Sequence, residues 1–249
     1  MTVAKPRSFR DLVDLPQGEA GAFPGEVHGT TVIALRYDEG VLTVADRRAT
    51  AGNLIMYDQA EKVLALDDHT VVAISGAFAR SIEVCRFLKH SFKYYRRSVL
   101  HEMSLEGKLT EISRALAGNA PMAAQGIGVF LPIVSAYDPK SDRFGVYFFD
   151  GAGARFQNGS YACAGSGSER IRGVFEYVAR KEGHFETRPM ADVLADGLEM
   201  LDIAADLDSA TGGFSKILPV ARVLTKDGNW ELPEKELRTA VDKILGRKA

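Results

Sequence analysis

Gly29-Thr30-Thr31-Val32-Ile33-Ala34-Leu35 is the stretch on which the reading of this chain turns. After Thr31 the apolar residues run almost unbroken, which predicts a buried strand. Glycine at 29 makes an unhindered peptide bond, and a threonine comes directly after it. If the bond Gly29–Thr30 is cut, the chain begins with a hydroxyl and a free α-amine on one residue. Those are a nucleophile and a base within a single amino acid. Uncut, the same nitrogen is an amide and the base is absent.

The residues before this stretch differ in character from those after it. Residues 1–29 contain Pro6, Pro16 and Pro24 with Gly18, Gly21, Gly25 and Gly29, and no period holds among them. They read as a leader or flexible arm, expected to be removed on maturation, with 30–249 as one domain. From Thr30 the pattern is dense in strands. Residues 30–37 form one, Glu39-Gly40 turns the chain, and 41–47 form a second. Residues 62–67 alternate, and Asp67-Asp68-His69 leads into a strand over 70–75. These four are joined by tight turns and are expected to be antiparallel. After Gly76 the period changes: Phe78, Ile82, Cys85, Leu88 and Phe92 recur at three- or four-residue steps, an amphipathic helix. Leu105, Leu109, Ile112 and Leu116 predict a second. Strands return over 128–137, 144–149 and 159–164, then helices over about 167–181 and 189–206. A strand covers 217–224, and Pro233 is placed to open a last helix at its first turn.

Strands and helices thus come in blocks, which argues against a parallel doubly wound sheet. The expected class is α+β: two antiparallel sheets face to face with helix pairs outside, a four-layer αββα sandwich. The 249 residues suit such a core, and a net charge of −2 demands neither nucleic acid nor an anionic membrane. Two cysteines make no disulfide framework and no metal motif, so a reducing, cytoplasmic setting is expected, with no metal and no cofactor. No apolar run approaches the ~20 residues that span a bilayer.

Polar residues stand in several places where a plain core would not want them. Asp46-Arg47-Arg48 closes the apolar strand Val41-Leu42-Thr43-Val44-Ala45. Lys62 opens Val63-Leu64-Ala65-Leu66. Ser75-Gly76 ends a buried strand, and glycine there lets a ligand approach the backbone. Gly165-Ser166-Gly167-Ser168 and Asp208-Ser209-Ala210-Thr211-Gly212-Gly213 read as turns or as hydrogen-bonding loops. Singly each is compatible with a solvated strand end or loop.

In this order and spacing the motifs resemble the proteasome β-type subunit, most closely its bacterial form. Asp46 and Lys62 lie 16 and 32 residues past Thr30, as in that family. The resemblance runs from Gly29 to about Leu224 and implies the N-terminal-nucleophile hydrolase fold. It implies a threonine endopeptidase, made autocatalytically by cleavage between Gly29 and Thr30. Thr30 would be the nucleophile, Asp46 and Lys62 a buried charge pair beside it, and the Gly76 N–H an oxyanion donor. Ser166, Asp208 and Thr211 would hold the amine and its water, although family members often carry serine where this chain has Thr211. By the same resemblance Thr50 binds substrate, and Ala49, Ala60, Leu64, Ile74, Phe78 and Ile82 line an uncharged pocket that favours an apolar residue before the scissile bond. The implied partners are other β subunits in a heptameric ring, a ring of α subunits, an ATPase unfoldase reached through that ring, and protein or peptide substrates. Two other readings stay open: a non-catalytic or unprocessed subunit serving assembly, and a simpler peptidase without α rings.

Overall fold

A computed structural model describes residues 30–52, 54–214 and 216–248. Residues 1–29, the expected leader, lie outside the described residues, and with them Gly29 of the expected cleavage site. The chain runs through two five-stranded antiparallel sheets and a two-stranded ribbon. The first sheet has the order β10-β1-β2-β11-β12, built from β1 (Thr31–Tyr37), β2 (Gly40–Ala45), β10 (Tyr161–Gly165), β11 (Val220–Thr225) and β12 (Gly228–Glu231). The second has the order β5-β6-β7-β8-β9, from β5 (Val63–Asp67), β6 (Thr70–Ala73), β7 (Ile133–Asp138), β8 (Arg143–Phe149) and β9 (Arg155–Asn158). The ribbon pairs β3 (Ala49–Ala51) with β4 (Leu54–Tyr57).

The period-2 alternation of the strands decides what each face meets. Val32 and Ala34 of β1 turn toward the second sheet, where they pack with Val71, Ala73, Ile133 and Val146. Ile33 and Leu35 turn the other way, onto α4 (Ser168–Glu182), α5 (Met190–Leu207) and α6 (Glu234–Lys248) through Phe175, Leu198 and Val241. On the far side Val72 and Ile74 meet α1 (Phe78–Val99) and α2 (Leu105–Ala117) through Leu88, Phe92 and Ile112. The order is therefore helices, sheet, sheet, helices, the expected four-layer sandwich. Thr43 and Ser135 are buried between the sheets and satisfy each other across the interface at 3.0 Å.

Several boundaries differ from the sequence reading for local reasons. The expected strand over 128–137 begins at Ile133, because Pro132 before it has no N–H to give a ladder. Residues 129–131 instead bridge to Gly76. The expected strand over 217–224 likewise begins after Pro219. Pro233 does not sit in the first turn: the last helix starts at Glu234, and the Pro233 carbonyl accepts the Leu237 N–H at 3.1 Å. The first four expected strands are two hairpins, β1–β2 and β5–β6, that fall in different sheets. The ribbon, β9, β12 and the one-turn α3 (Ala120–Ala123) were not expected from the sequence.

Candidate active site

β1 carries the site. It lies between β10 and β2, paired in register on both sides, and Thr30 stands immediately before its first residue. Thr30 is buried, with 5% of its surface exposed. Close to it the chain makes a contact only glycine permits. Gly165 has φ +98°, and a Cβ there would lie 1.9 Å from the Thr30 carbonyl oxygen. The β10 end can therefore press against the Thr30 peptide.

Asp46 stands directly after β2 and its carboxylate is fully engaged. Oδ1 accepts the Thr31 N–H at 2.8 Å and the Lys62 ammonium at 2.7 Å. Oδ2 accepts the N–H groups of Arg48 and Gly212, each at 2.9 Å. Both members of the Asp46–Lys62 pair are wholly buried. Lys62 also donates to the Arg48 carbonyl. Burial lowers the Lys62 pKa, and the charge and hydrogen bond of Asp46 oppose that fall.

A second carboxylate lies on the loop after α5. Asp208 Oδ2 accepts the hydroxyls of Ser166 and Thr211, each at 2.6 Å. Burial works against its ionised form, but those two donors, the Ala210 N–H and the Arg170 charge hold its pKa below the usual carboxylate value.

Gly76 pairs with Phe130 in the widely spaced position of an antiparallel bridge. The flanking bonds, Ala77 N–H to the Val129 carbonyl at 2.7 Å and Leu131 N–H to the Ser75 carbonyl at 3.0 Å, carry that pairing. The Gly76 N–H therefore points away from the Phe130 segment. A cavity of about 370 Å³ joins Thr30, Ser75, Gly76, Ser166 and Ser168. The structure thus brings together Thr30, Asp46, Lys62, Gly76, Ser166, Asp208 and Thr211, from six separate places in the sequence.

The profile of the proteasome subunit family matches residues 26–214. The chain belongs to the proteasome subunit family. It is 36% identical over 237 residues to a proteasome subunit beta of Acidothermus cellulolyticus, covering 92% of this chain and 80% of that one. It is 32% identical over 226 residues to a proteasome subunit beta 2 of Thermomonospora curvata, covering 90% and 79%. It is 32% identical over 250 residues to a proteasome subunit beta of Frankia alni, covering 96% and 89%.

In this β-type proteasome subunit two of the residues expected to line a substrate pocket, Ala49 and Phe78, border one surface cavity. A cavity of about 310 Å³ is lined by Ala49, Met56, Tyr57, Ala77, Phe78 and Arg80, among others. Ala49 and Phe78 are thus brought to it. Ile74 points into the core under α1 and α2, and Leu64 and Ile82 pack against the same core. Ala60 and Thr50 are buried. The other wall of that cavity comes from β4, which curls back on β3 and offers the exposed Met56 and Tyr57. This cavity also has a charged wall. Arg80 reaches it, paired with Glu83 one helical turn on at 2.7 Å.

Arg48 is a further residue the sequence reading passed over as a site member. Its side chain binds Asp58 at 3.1 Å and the carbonyls of Ser209 and Thr211 at 3.2 and 3.3 Å. It fastens the strap after β2 to the Asp208 loop. The signal available was its place in the motif Asp46-Arg47-Arg48. Among the described residues no group of His, Cys, Asp and Glu side chains is arranged to hold a metal, and no helix is long and apolar enough to cross a membrane.

Proposed function

We propose that the chain is a threonine endopeptidase subunit of a proteasome core particle, active once the bond Gly29–Thr30 is cut by its own Thr30. The observation that carries this reading is the wholly buried Asp46–Lys62 pair, held against the Thr31 amide directly after the nucleophile. Burying an ion pair is expensive, and a core of this composition gains little from one unless the charge has work to do.

The chemistry derives from the residue types. The Thr30 hydroxyl attacks the scissile carbonyl carbon and its proton passes to the freed α-amine, whose ordinary pKa of roughly 7.7–8.0 suits it to neutral pH. Lys62 supplies positive charge that favours the alkoxide. The carbonyl oxygen becomes an oxyanion facing the Gly76 N–H, an interaction worth about 2.7–4 kcal/mol at comparable sites. The amine's proton then goes to the leaving nitrogen, and an ester on Thr30 remains for water to hydrolyse. Ser166, Asp208 and Thr211 hold the amine and that water. The cavity beside Ala49, Met56, Tyr57 and Phe78 takes the residue before the scissile bond. Other β subunits in a heptameric ring, an α ring and an ATPase unfoldase complete the cytoplasmic machine, and residues 1–29 are its leader.

The test is the N-terminal residue of the assembled protein, together with hydrolysis of a fluorogenic peptide. Wild type begins at Thr30 and hydrolyses the peptide, whereas Thr30→Ala keeps all 29 leader residues and is inactive. Efficient cleavage in Thr30→Ala without added protease overturns self-processing, and an assembled wild type without hydrolysis favours a subunit serving assembly alone.

A further inference from the structure

Thr31 touches both carboxylate networks of the site through its own hydrogen-bonding groups. Its N–H is donated to Asp46 at 2.8 Å, and its hydroxyl lies 2.7 Å from the Thr211 hydroxyl. Thr211 has a single hydroxyl proton, and that proton is given to Asp208 at 2.6 Å. Thr211 therefore accepts, and Thr31 donates. The result is a directed chain from Thr31 through Thr211 to the carboxylate that also receives the Ser166 hydroxyl.

Two further observations bear on this chain. Thr31 has no exposed surface and Thr211 only 1%, so solvent has no ready route to stand in for either hydroxyl. Opposite them is Gly167, where a Cβ would lie 2.3 Å from Thr31 Oγ1 and 2.8 Å from Thr211 Oγ1. The space the two hydroxyls occupy exists because residue 167 has no side chain.

We propose that Thr31 is a positioning residue for the threonine hydrolase reaction, its hydroxyl tying the Asp208 loop to the strand that carries the nucleophile. The inference rests on the function proposed above. A hydroxyl that is itself donated to becomes a better donor, so Thr31 strengthens the bond from Thr211 to Asp208. Losing it makes Asp208 easier to protonate. The other charges that act on this region are the Asp46 carboxylate, which accepts the Thr31 and Gly212 N–H groups, and three cations, Arg170 on α4, Lys62 before β5, and Arg48, which reaches the Ser209 and Thr211 carbonyls. The Thr31→Val substitution keeps the N–H that Asp46 accepts and removes none of these charges.

The experiment compares wild type, Thr31→Val, Thr31→Ser and Thr211→Val as assembled particles, measuring kcat, KM and the pH profile with a fluorogenic peptide. Thr31→Val keeps the shape and the N–H but has no hydroxyl. It is expected to lower kcat about fivefold to tenfold, as loss of one buried hydrogen bond in the transition state would. KM should stay within about twofold and the acid limb should move to higher pH. Thr31→Ser restores both kcat and the limb. Thr211→Val moves the acid limb in the same direction, and the double variant Thr31→Val/Thr211→Val is no worse than the poorer single one. If Thr31→Val does not assemble, Thr31→Ala, which likewise lacks the hydroxyl and keeps the N–H, carries the test with the same expected loss of kcat and shift of the acid limb. An unmoved acid limb, additive losses, or a serine variant as poor as the valine one overturns the proposal. Wild-type hydrolysis in the same plates keeps the two claims apart: its absence refutes the proposed function, while normal wild type with an indifferent Thr31→Val refutes this inference alone.

Discussion

Replacing Lys62 by methionine removes a charge and keeps the stem. Asp46 then retains three of its four donors, the N–H groups of Thr31, Arg48 and Gly212, but its charge is left in a site from which both side chains exclude water completely. Breaking such a pair costs about 3–5 kcal/mol, and the three remaining donors argue for the lower end. At about 2–4 °C per kcal/mol for a domain of this size, a loss of about 3 kcal/mol lowers the thermal midpoint by about 6–12 °C. Hydrolysis should fall to background, because nothing else in the pair favours the alkoxide. Adding Asp46→Asn to Lys62→Met removes the stranded charge and should recover part of the stability but none of the activity. The assay is differential scanning calorimetry beside fluorogenic peptide hydrolysis on assembled particles of wild type, the single variants and the double variant. A Lys62→Met particle within a few-fold of wild-type activity, or a double variant less stable than either single one, refutes the reasoning.

Gly165→Ala should abolish hydrolysis, since its Cβ would meet the Thr30 carbonyl at 1.9 Å and its φ of +98° disfavours any side chain; mass spectrometry of the leader shows whether processing fails with it. Ser166→Ala takes one of two hydroxyls from Asp208 and should raise its pKa. A carboxylate held low stabilises the fold above its unfolded value, and that contribution is lost as pH falls through the folded one, so acid unfolding monitored by circular dichroism should begin at higher pH in this variant. Cys163, whose pKa burial pushes up to about 11, should alkylate at pH 8 at least about a hundredfold more slowly than a free thiol, read by mass after iodoacetamide. Arg80→Met should reduce cleavage after acidic residues and leave cleavage after apolar ones little changed, measured with peptides varied only at that position.

The layer order was legible because both faces of β1 and β2 are buried and the helices that cover them are amphipathic in sequence. The catalytic candidates were legible as polar residues interrupting apolar runs, at spacings a family shares. The cavity beside Ala49 and Phe78 was not. One of its walls comes from β4, whose Leu54, Ile55, Met56 and Tyr57 are all exposed, so no alternation marked them as a strand or as one wall of a pocket. Nor did anything in the sequence bring Arg80 to that wall. Thr31 escaped notice for the opposite reason: it looked like one more residue at the start of a buried strand, whose first residue it is, and its hydroxyl matters only because a residue 180 positions later folds back beside it.

The central position of β1 makes that strand a ruler. Its register is fixed against β10 from Thr31↔Gly165 to Leu35↔Tyr161 and against β2 from Val32↔Ala45 to Tyr37↔Gly40. Inserting or deleting one residue between Thr30 and Tyr37 would exchange Ile33 and Leu35 with Val32 and Ala34 between two unlike cores. The chain after Thr30 therefore has no slack. For anyone encoding the chain to start directly at Thr30, the step from Thr30 to Thr31 is a coordinate that cannot be moved.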